Sequence, residues 1–171
     1  MNQNASLTRR SIRKFTEERL SEKEITEILK AGFAAPTAKN TQLWEFVVVD
    51  DMEILKAFKE VHKYAIPLIN SKFGILVCGN TEKEDKPGYW IGDCAAAIQN
   101  MLIRIEELKL GACWIGVYPN EDRMEALAEI LKLPEYIKPM GFIAVGHPDE
   151  SREPSDRYNP EKVHRNEFGK R

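Results

Sequence analysis

Several features common in small proteins are missing from this chain, and each absence closes off a class of function. There is no C-x-x-C pair. Cys78, Cys94 and Cys113 are an odd number, widely spaced, each in an apolar stretch, so buried reduced thiols are expected rather than a disulfide framework or a thiol redox motif. His62, His147 and His164 show no H-E-x-x-H or comparable spacing, and no metal site is expected. There is no G-x-G-x-x-G, hence no separate dinucleotide-binding domain. No apolar run approaches the roughly 20 residues of a membrane helix, and the opening M-N-Q-N-A-S-L-T-R-R lacks the apolar core of a signal peptide. A cytoplasmic protein that does not engage a membrane is expected. A basic excess is also lacking: the net charge of -2 argues against a general nucleic-acid binder. Internal repeats and low-complexity tracts are absent.

What is present reads as a globular chain. With 171 residues, 43% of them hydrophobic, the chain suffices for one domain with a substantial core. Ser21-x-x-Glu24 is a capping box that opens a helix, with Ile25, Ile28, Leu29 and Phe33 as its buried face. Pro36 ends that region. Phe46 to Val49 and Phe73 to Cys78 are apolar, β-branched runs expected as buried strands. Asp51 to Val61 has helical periodicity. Thr81 to Gly88 is charged and ends in Pro-Gly, the mark of an exposed loop. Gly92 to Leu110 is apolar on nearly every side, as in a central or interface helix, with Gly111 as its C-terminal cap. Ala112 to Val117 and Met140 to Val145 are two further strands, separated by a helix from Glu121 to Leu131 capped by Asn120. From His147 the chain is polar and proline-punctuated. Helices interleaved with a few strands predict an α+β or α/β sandwich with a mixed central sheet. The expected organisation is a single domain over residues 1–171, with 147–171 as an extended C-terminal arm.

Two segments carry chemistry. Thr8 to Arg13 reads T-R-R-S-I-R. Its Arg9, Arg10, Ser11 and Arg13 place three guanidiniums and a hydroxyl close together, a natural receptor for a phosphate dianion. Ala35 to Trp44 reads A-P-T-A-K-N-T-Q-L-W. It is rich in small polar side chains, and the amides of Asn40 and Gln42 suit the carbonyls and ring nitrogens of a heterocycle. Together they point to a phosphorylated, hydroxylated, aromatic ligand.

These segments, followed by G-A-C-W-I-G-V from Gly111 to Val117 and P-S-D-R-Y from Pro154 to Tyr158, resemble the FMN-dependent nitroreductase family in order and over nearly the whole chain. The resemblance implies a central sheet flanked by helices in an obligate homodimer, with FMN at the dimer interface. Arg9, Arg10, Ser11 and Arg13 match the motif that holds the FMN phosphate and ribityl chain. Pro36, Thr37, Ala38, Asn40 and Gln42 match a loop that crosses from the partner subunit to the flavin ring. Trp114, Ile115 and Gly116 match a strand end where a backbone N–H, near Ile115 or Gly116, faces flavin N5. Arg157 matches an arm that returns a basic pair to the phosphate. Two positions depart from the pattern: Leu43 stands where the family has proline, and Ser155 where it has the first basic residue.

Each residue also has a plainer reading. The arginines alone would make a solvated basic turn. Pro36 to Gln42 would make an ordinary helix-ending loop. Trp44 and Trp114 would be core, and Arg157 is equally well a solvated tail residue. Tyr89 and Trp90 are weak candidates for the substrate mouth, with core packing favoured, and Asp93 is most simply an N-terminal helix residue. No side-chain acid or base is expected, because the flavin carries the reaction. The activity implied is FMN-dependent NAD(P)H oxidation with reduction of a small-molecule acceptor, a nitroaromatic or quinone, through N5 in a ping-pong cycle. The alternatives are a specialised flavin enzyme of the same fold, a non-turnover FMN sensor or store, or an anion- or nucleic-acid-binding protein using the arginine cluster.

Overall fold

A computed structural model describes residues 4–170. Met1 to Gln3, at the head of the N-terminal segment, and Arg171, at the end of the arm, lie outside the described residues. The sheet has four strands: β1 (Trp44–Val49), β2 (Gly74–Asn80), β3 (Gly111–Gly116) and β4 (Ile137–Gly146), in the order β1-β2-β4-β3. All three strand pairings are antiparallel, so the four named strands form an antiparallel sheet, and parallel pairing enters only as an isolated bridge from Ser11 to Ala112 outside them.

Both faces of the sheet are covered. On one lie α2 (Glu22–Phe33) and the long α5 (Tyr89–Glu107); on the other lie α3 (Met52–Val61), α4 (Ile66–Ser71) and α6 (Glu121–Leu131). Alternation along each strand feeds two cores. Ile75, Val77, Ile143 and Val145 pack with α5, while Leu76, Cys78, Phe142 and Ala144 pack with Leu55, Phe58, Leu68 and Leu127. Burial on both faces is why these strands are continuous apolar runs rather than alternating ones. Among the described residues no helix is long and apolar enough to cross a membrane.

The expected elements form, with boundary shifts of a few residues. The capping box is present: Glu24 N–H donates to Ser21 Oγ at 3.3 Å, and Ser21 N–H donates to Glu24 Oε2 at 2.8 Å. Asp51 and Asn120 cap α3 and α6 through their side chains. Three expectations need correction. Phe33 is not part of the buried face of α2, being 58% exposed. Gly32 takes the inward position one turn after Ile28, so the ring of Phe33 rotates off the core and rests edge-on against Phe46, with centroids 4.9 Å apart. Gly111 is not a helix cap: α5 stops at Glu107, Lys109 adopts the left-handed turn at φ 63°, and Gly111 opens β3. A glycine is needed there for space, because a Cβ would lie 2.8 Å from Ile12 Cγ2. The stretch from Thr81 to Gly88 contains a short 3-10 turn at Thr81–Lys83, and α5 begins earlier than expected. Gly88, at φ 94°, swings the chain so that Trp90 enters the core against Tyr118.

Past His147 the described arm holds no α-helix or named strand, only a 3-10 turn at Pro160–Lys162. Its first part is tied to the N-terminal segment. Thr16 N–H donates to His147 O at 2.9 Å and Asp149 N–H to Lys14 O at 3.0 Å.

Candidate functional site

The segment that follows the four-residue helix α1 (Ala5–Thr8) runs along the free edge of β3. Ile12 N–H donates to Ala112 O at 2.8 Å, and Ile12 and Phe15 bury their side chains. Anchoring of these apolar residues leaves Arg13, between them, exposed, and Arg9 and Arg10, before them, half-buried. The arm crosses the same segment. Glu150 accepts from Arg13 N–H at 2.6 Å and from Arg152 Nη2 at 3.0 Å, and Arg10 donates to Glu153 O. The bond from Arg13 N–H is the main reason the Glu150 carboxyl titrates below the usual carboxylate range.

This crossing encloses a cavity of about 710 Å³ lined by Arg9, Arg10, Ser11, Arg13 and Arg157, together with Arg152, Ser155, Asp156 and Tyr158. The first motif and Arg157, distant in sequence, therefore share one basic hollow. Ser155 does line it, and Arg152 brings a charge that sequence reading did not identify.

A second cavity, of about 550 Å³, lies at the end of β3. Trp114, Ile115 and Gly116 line it, and Arg13 lines both cavities. Trp114 is 37% exposed rather than core, whereas its strand neighbours Cys113 and Ile115 are buried. Its Nε1 instead occupies the space over Gly141, where a Cβ would lie 2.3 Å from it. A Cβ on Gly116 would meet nothing within 4 Å, so this glycine keeps the cavity wall bare.

The register also settles which backbone groups point outward. In an antiparallel edge strand, alternate residues aim both N–H and C=O away from the sheet. The carbonyl of Ala112 is taken by Ile12, and that of Gly116 faces His62 Nε2 at 3.1 Å and Arg123 Nη1 at 3.4 Å. Ala112, Trp114 and Gly116 are therefore the outward set, and Gly116, rather than Ile115, offers its N–H at the edge.

His62, at the end of α3, is 4% exposed. It accepts from Tyr64 N–H at Nδ1 and so donates from Nε2 to Gly116 O. Burial, followed by the charge of Arg123, holds its pKa below the ordinary histidine value. His62, Lys63, Tyr64 and Arg123 all line this second cavity. No motif spacing marks them; only packing of α3 and α6 against the end of β3 brings them there.

The loop from Pro36 to Gln42 lines neither cavity of its own chain. It is nonetheless tightly built. Lys39, Asn40 and Gln42 have φ of 52°, 55° and 50°. Gln42 N–H donates to Thr37 Oγ1 at 3.0 Å, Gln42 Nε2 to Asn40 Oδ1 at 3.1 Å, and Lys39 pairs with Asp85 at 2.8 Å. Asp93, buried one turn into α5, accepts from Ala38 N–H at 3.2 Å; burial raises its carboxyl pKa. Leu43, which replaces the family's proline, is anchored. It is fully packed in the core, and its carbonyl accepts from Asn80 N–H at 2.8 Å.

Cys78, Cys94 and Cys113 are all buried free thiols, with Cys78 pushed up to about 12 by burial. Among the described residues no group of His, Cys, Asp or Glu is arranged to hold a metal ion.

Known proteins match this arrangement closely. A candidate NADH dehydrogenase/NAD(P)H nitroreductase of Archaeoglobus fulgidus is 39% identical over 165 residues, covering 94% of this chain and 95% of the relative. The crystal structure of a candidate NADH dehydrogenase/NAD(P)H nitroreductase of Parabacteroides distasonis superposes with TM-score 0.92 at 36% identity, covering 96% of each chain. An FMN-dependent nitroreductase of Clostridium difficile superposes with TM-score 0.88 at 30% identity, covering 96% of this chain and 99% of that one. The sequence model of the Nitroreductase family matches residues 7–77 and 67–147, and the relatives and the fold agree with it: the chain belongs to the nitroreductase family.

Proposed function

We propose that this protein is an FMN-dependent NAD(P)H oxidoreductase that reduces nitroaromatics, quinones or similar acceptors. The observation that carries the reading is the convergence of Arg9, Arg10, Ser11, Arg13, Arg152 and Arg157 on one basic cavity that Arg13 shares with the cavity beside Gly116. A phosphate monoester joined by a polyol to a flat heterocycle requires that pairing: charge at one end and a bare, partly apolar wall at the other. When bound, FMN would supply the hydride-transfer chemistry between NAD(P)H and the acceptor.

The chain's own residues bind and orient. The arginines neutralise the phosphate, and Ser11 adds a hydroxyl donor. The N–H of Gly116 would serve the ring as a fixed donor, and an N–H held by a sheet needs no reorganisation as charge develops. Absence of a side chain on Gly116 lets the ring approach that donor. Pro36, Thr37, Ala38, Asn40 and Gln42 complete the wall from a second copy of the chain, which explains why a strained, polar loop is held rigidly away from its own cavities. The site is therefore a property of a homodimer.

The test is the absorbance spectrum of the purified protein under nitrogen, followed by addition of NADPH and then NADH. Bleaching of a flavin spectrum, reversed by a quinone or nitroaromatic, is the expected result and reports the donor preference. A flavin spectrum that persists under excess donor would turn the reading towards an FMN-binding sensor or store.

A further inference from the structure

The cavity beside Gly116 is unlike the rest of the surface. No Asp or Glu lines it, although the chain carries 27 acidic residues. Many surface cations are paired: Lys30 with Glu27, Lys56 with Glu53, and Arg104 with both Glu27 and Glu107. Among the described residues, Lys63 and Arg123 reach no carboxylate. The Lys63 ammonium lies 5.0 Å from the centroid of the Tyr64 ring, and Arg123 spends one Nη1 donor on Gly116 O. Most of the Arg123 fork therefore stays available for a bidentate acceptor.

The same wall exposes apolar surface. Tyr64 is 65% exposed, Ile66 53% and Trp114 37%. Aromatic faces beside unpaired cations, with low-dielectric walls and no opposing charge, attract a flat ring bearing a negative group. The arginine cavity already accounts for a phosphate, and Arg13 is shared with it, so Lys63 and Arg123 are left for a different ligand.

We propose that the electron acceptor of this protein is an anionic aromatic, a nitro-substituted or quinonoid ring bearing a carboxylate or sulfonate, and that Lys63 and Arg123 hold its anionic group while Tyr64 and Trp114 flank the ring. The inference rests on the oxidoreductase reading above. For a nitro compound the first step balances as ArNO2 + NAD(P)H + H⁺ → ArNO + NAD(P)⁺ + H2O, with the donor supplying the hydride and solvent the proton.

The experiment uses FMN-loaded protein. Oxidised protein is titrated with benzoate and with benzamide, which cannot be reduced, and the visible flavin spectrum is followed. Chemically reduced protein is then mixed anaerobically with 4-nitrobenzoate or 4-nitrobenzamide, and reoxidation is timed. Benzoate is expected to bind about tenfold more tightly than benzamide, a preference that shrinks as salt is raised. In Lys63→Gln/Arg123→Gln both the binding preference and the nitrobenzoate-to-nitrobenzamide rate ratio should fall by about tenfold. Lys63→Glu should reverse the preference, an outcome that misfolding does not mimic. Equal affinities in the wild type would overturn the inference, as would a double variant that weakens both ligands alike. A shifted flavin midpoint potential with an unchanged rate ratio would overturn it too, because the cations would then serve the reduced flavin. Failure to take up FMN overturns this inference and the oxidoreductase reading together; a working flavoprotein without anion preference overturns only this one.

Discussion

At the scale of single residues, two glycines that face each other as the last pair of the β3–β4 ladder illustrate opposite demands. Gly141 sits under the Trp114 indole, and Gly116 faces open space. Gly141→Ala should therefore cost about 1–3 kcal/mol in a urea melt, because the indole must move. Gly116→Val should leave stability within about 1 kcal/mol, since valine suits a strand and meets no neighbour. It should nevertheless weaken FMN binding by at least about tenfold, read by quenching of FMN fluorescence. Equal binding by Gly116→Val would remove this glycine from the site. His62 gives a pH prediction. Its folded pKa is depressed by burial and by Arg123, so between that value and the ordinary histidine value the unfolded chain binds more protons. Stability then rises with pH and is lost as pH falls below about 6.5. Denaturation midpoints at about pH 7 and pH 5.5 should differ less in His62→Gln than in the wild type. At lower pH, Glu24 and Glu150, whose pKa values are lowered mainly by backbone N–H bonds, add a separate loss of stability.

Elements show how local signals and packing divide the work. The Ser21 box, the Asp51 and Asn120 caps and the β-branched runs act within a few residues, so they could be read directly. Phe33 and Gly111 could not: one is decided by which position of α2 faces Met101 and Phe46, the other by the approach of Ile12 and Pro148. The short helix α4 carries Pro67 in its first turn and has too few apolar positions to declare a period. The loop from Pro36 to Gln42 is the clearest case of tertiary control. Three non-glycine residues in the left-handed region cost about 1–3 kcal/mol each, with asparagine at the lower end. They persist because Asp93, Thr37 and Asp85 hold the surrounding backbone and side chains. Asp93→Ala leaves the Ala38 N–H without its acceptor and should cost about 1–3 kcal/mol, whereas Asp93→Asn keeps an acceptor and should cost much less. Limited trypsin digestion at Lys39 should accelerate in the alanine variant only; equal rates in the two variants would show that the carboxyl does not hold the loop.

For the whole molecule, the question is where a complete site resides. One chain holds the basic cavity and the bare strand end, but the loop from Pro36 to Gln42 lines neither, and the proposed function brings it to the ligand from a second copy. A homodimer should therefore have a mass near twice 19.6 kDa by light scattering. A variant lacking Arg9 and Arg157 and a variant lacking Asn40 and Gln42 should each be inactive. Mixed and refolded together, they should recover roughly a quarter of the wild-type activity, since half of the dimers are mixed and each carries one intact site. No recovery would place the loop in its own chain's site. Steady-state kinetics should give parallel double-reciprocal lines, as expected when donor and acceptor use one site in turn.

The sequence by itself determined the four strands, the longer helices and the chemistry of the two motifs. Capping, periodicity and β-branching are local, and an arginine carries its charge wherever it is placed. The resemblance to the family rested on those two motifs and two later ones standing in the same order. Only the tertiary structure decided that Arg152 stands in the same cavity as Ser155, that Gly116 rather than Ile115 presents its N–H, and that His62, Lys63, Tyr64 and Arg123 close the second cavity. Those outcomes depend on which edge of β3 is left open and on how α3 and α6 dock beside it, and contacts between residues far apart in the chain leave no spacing to read.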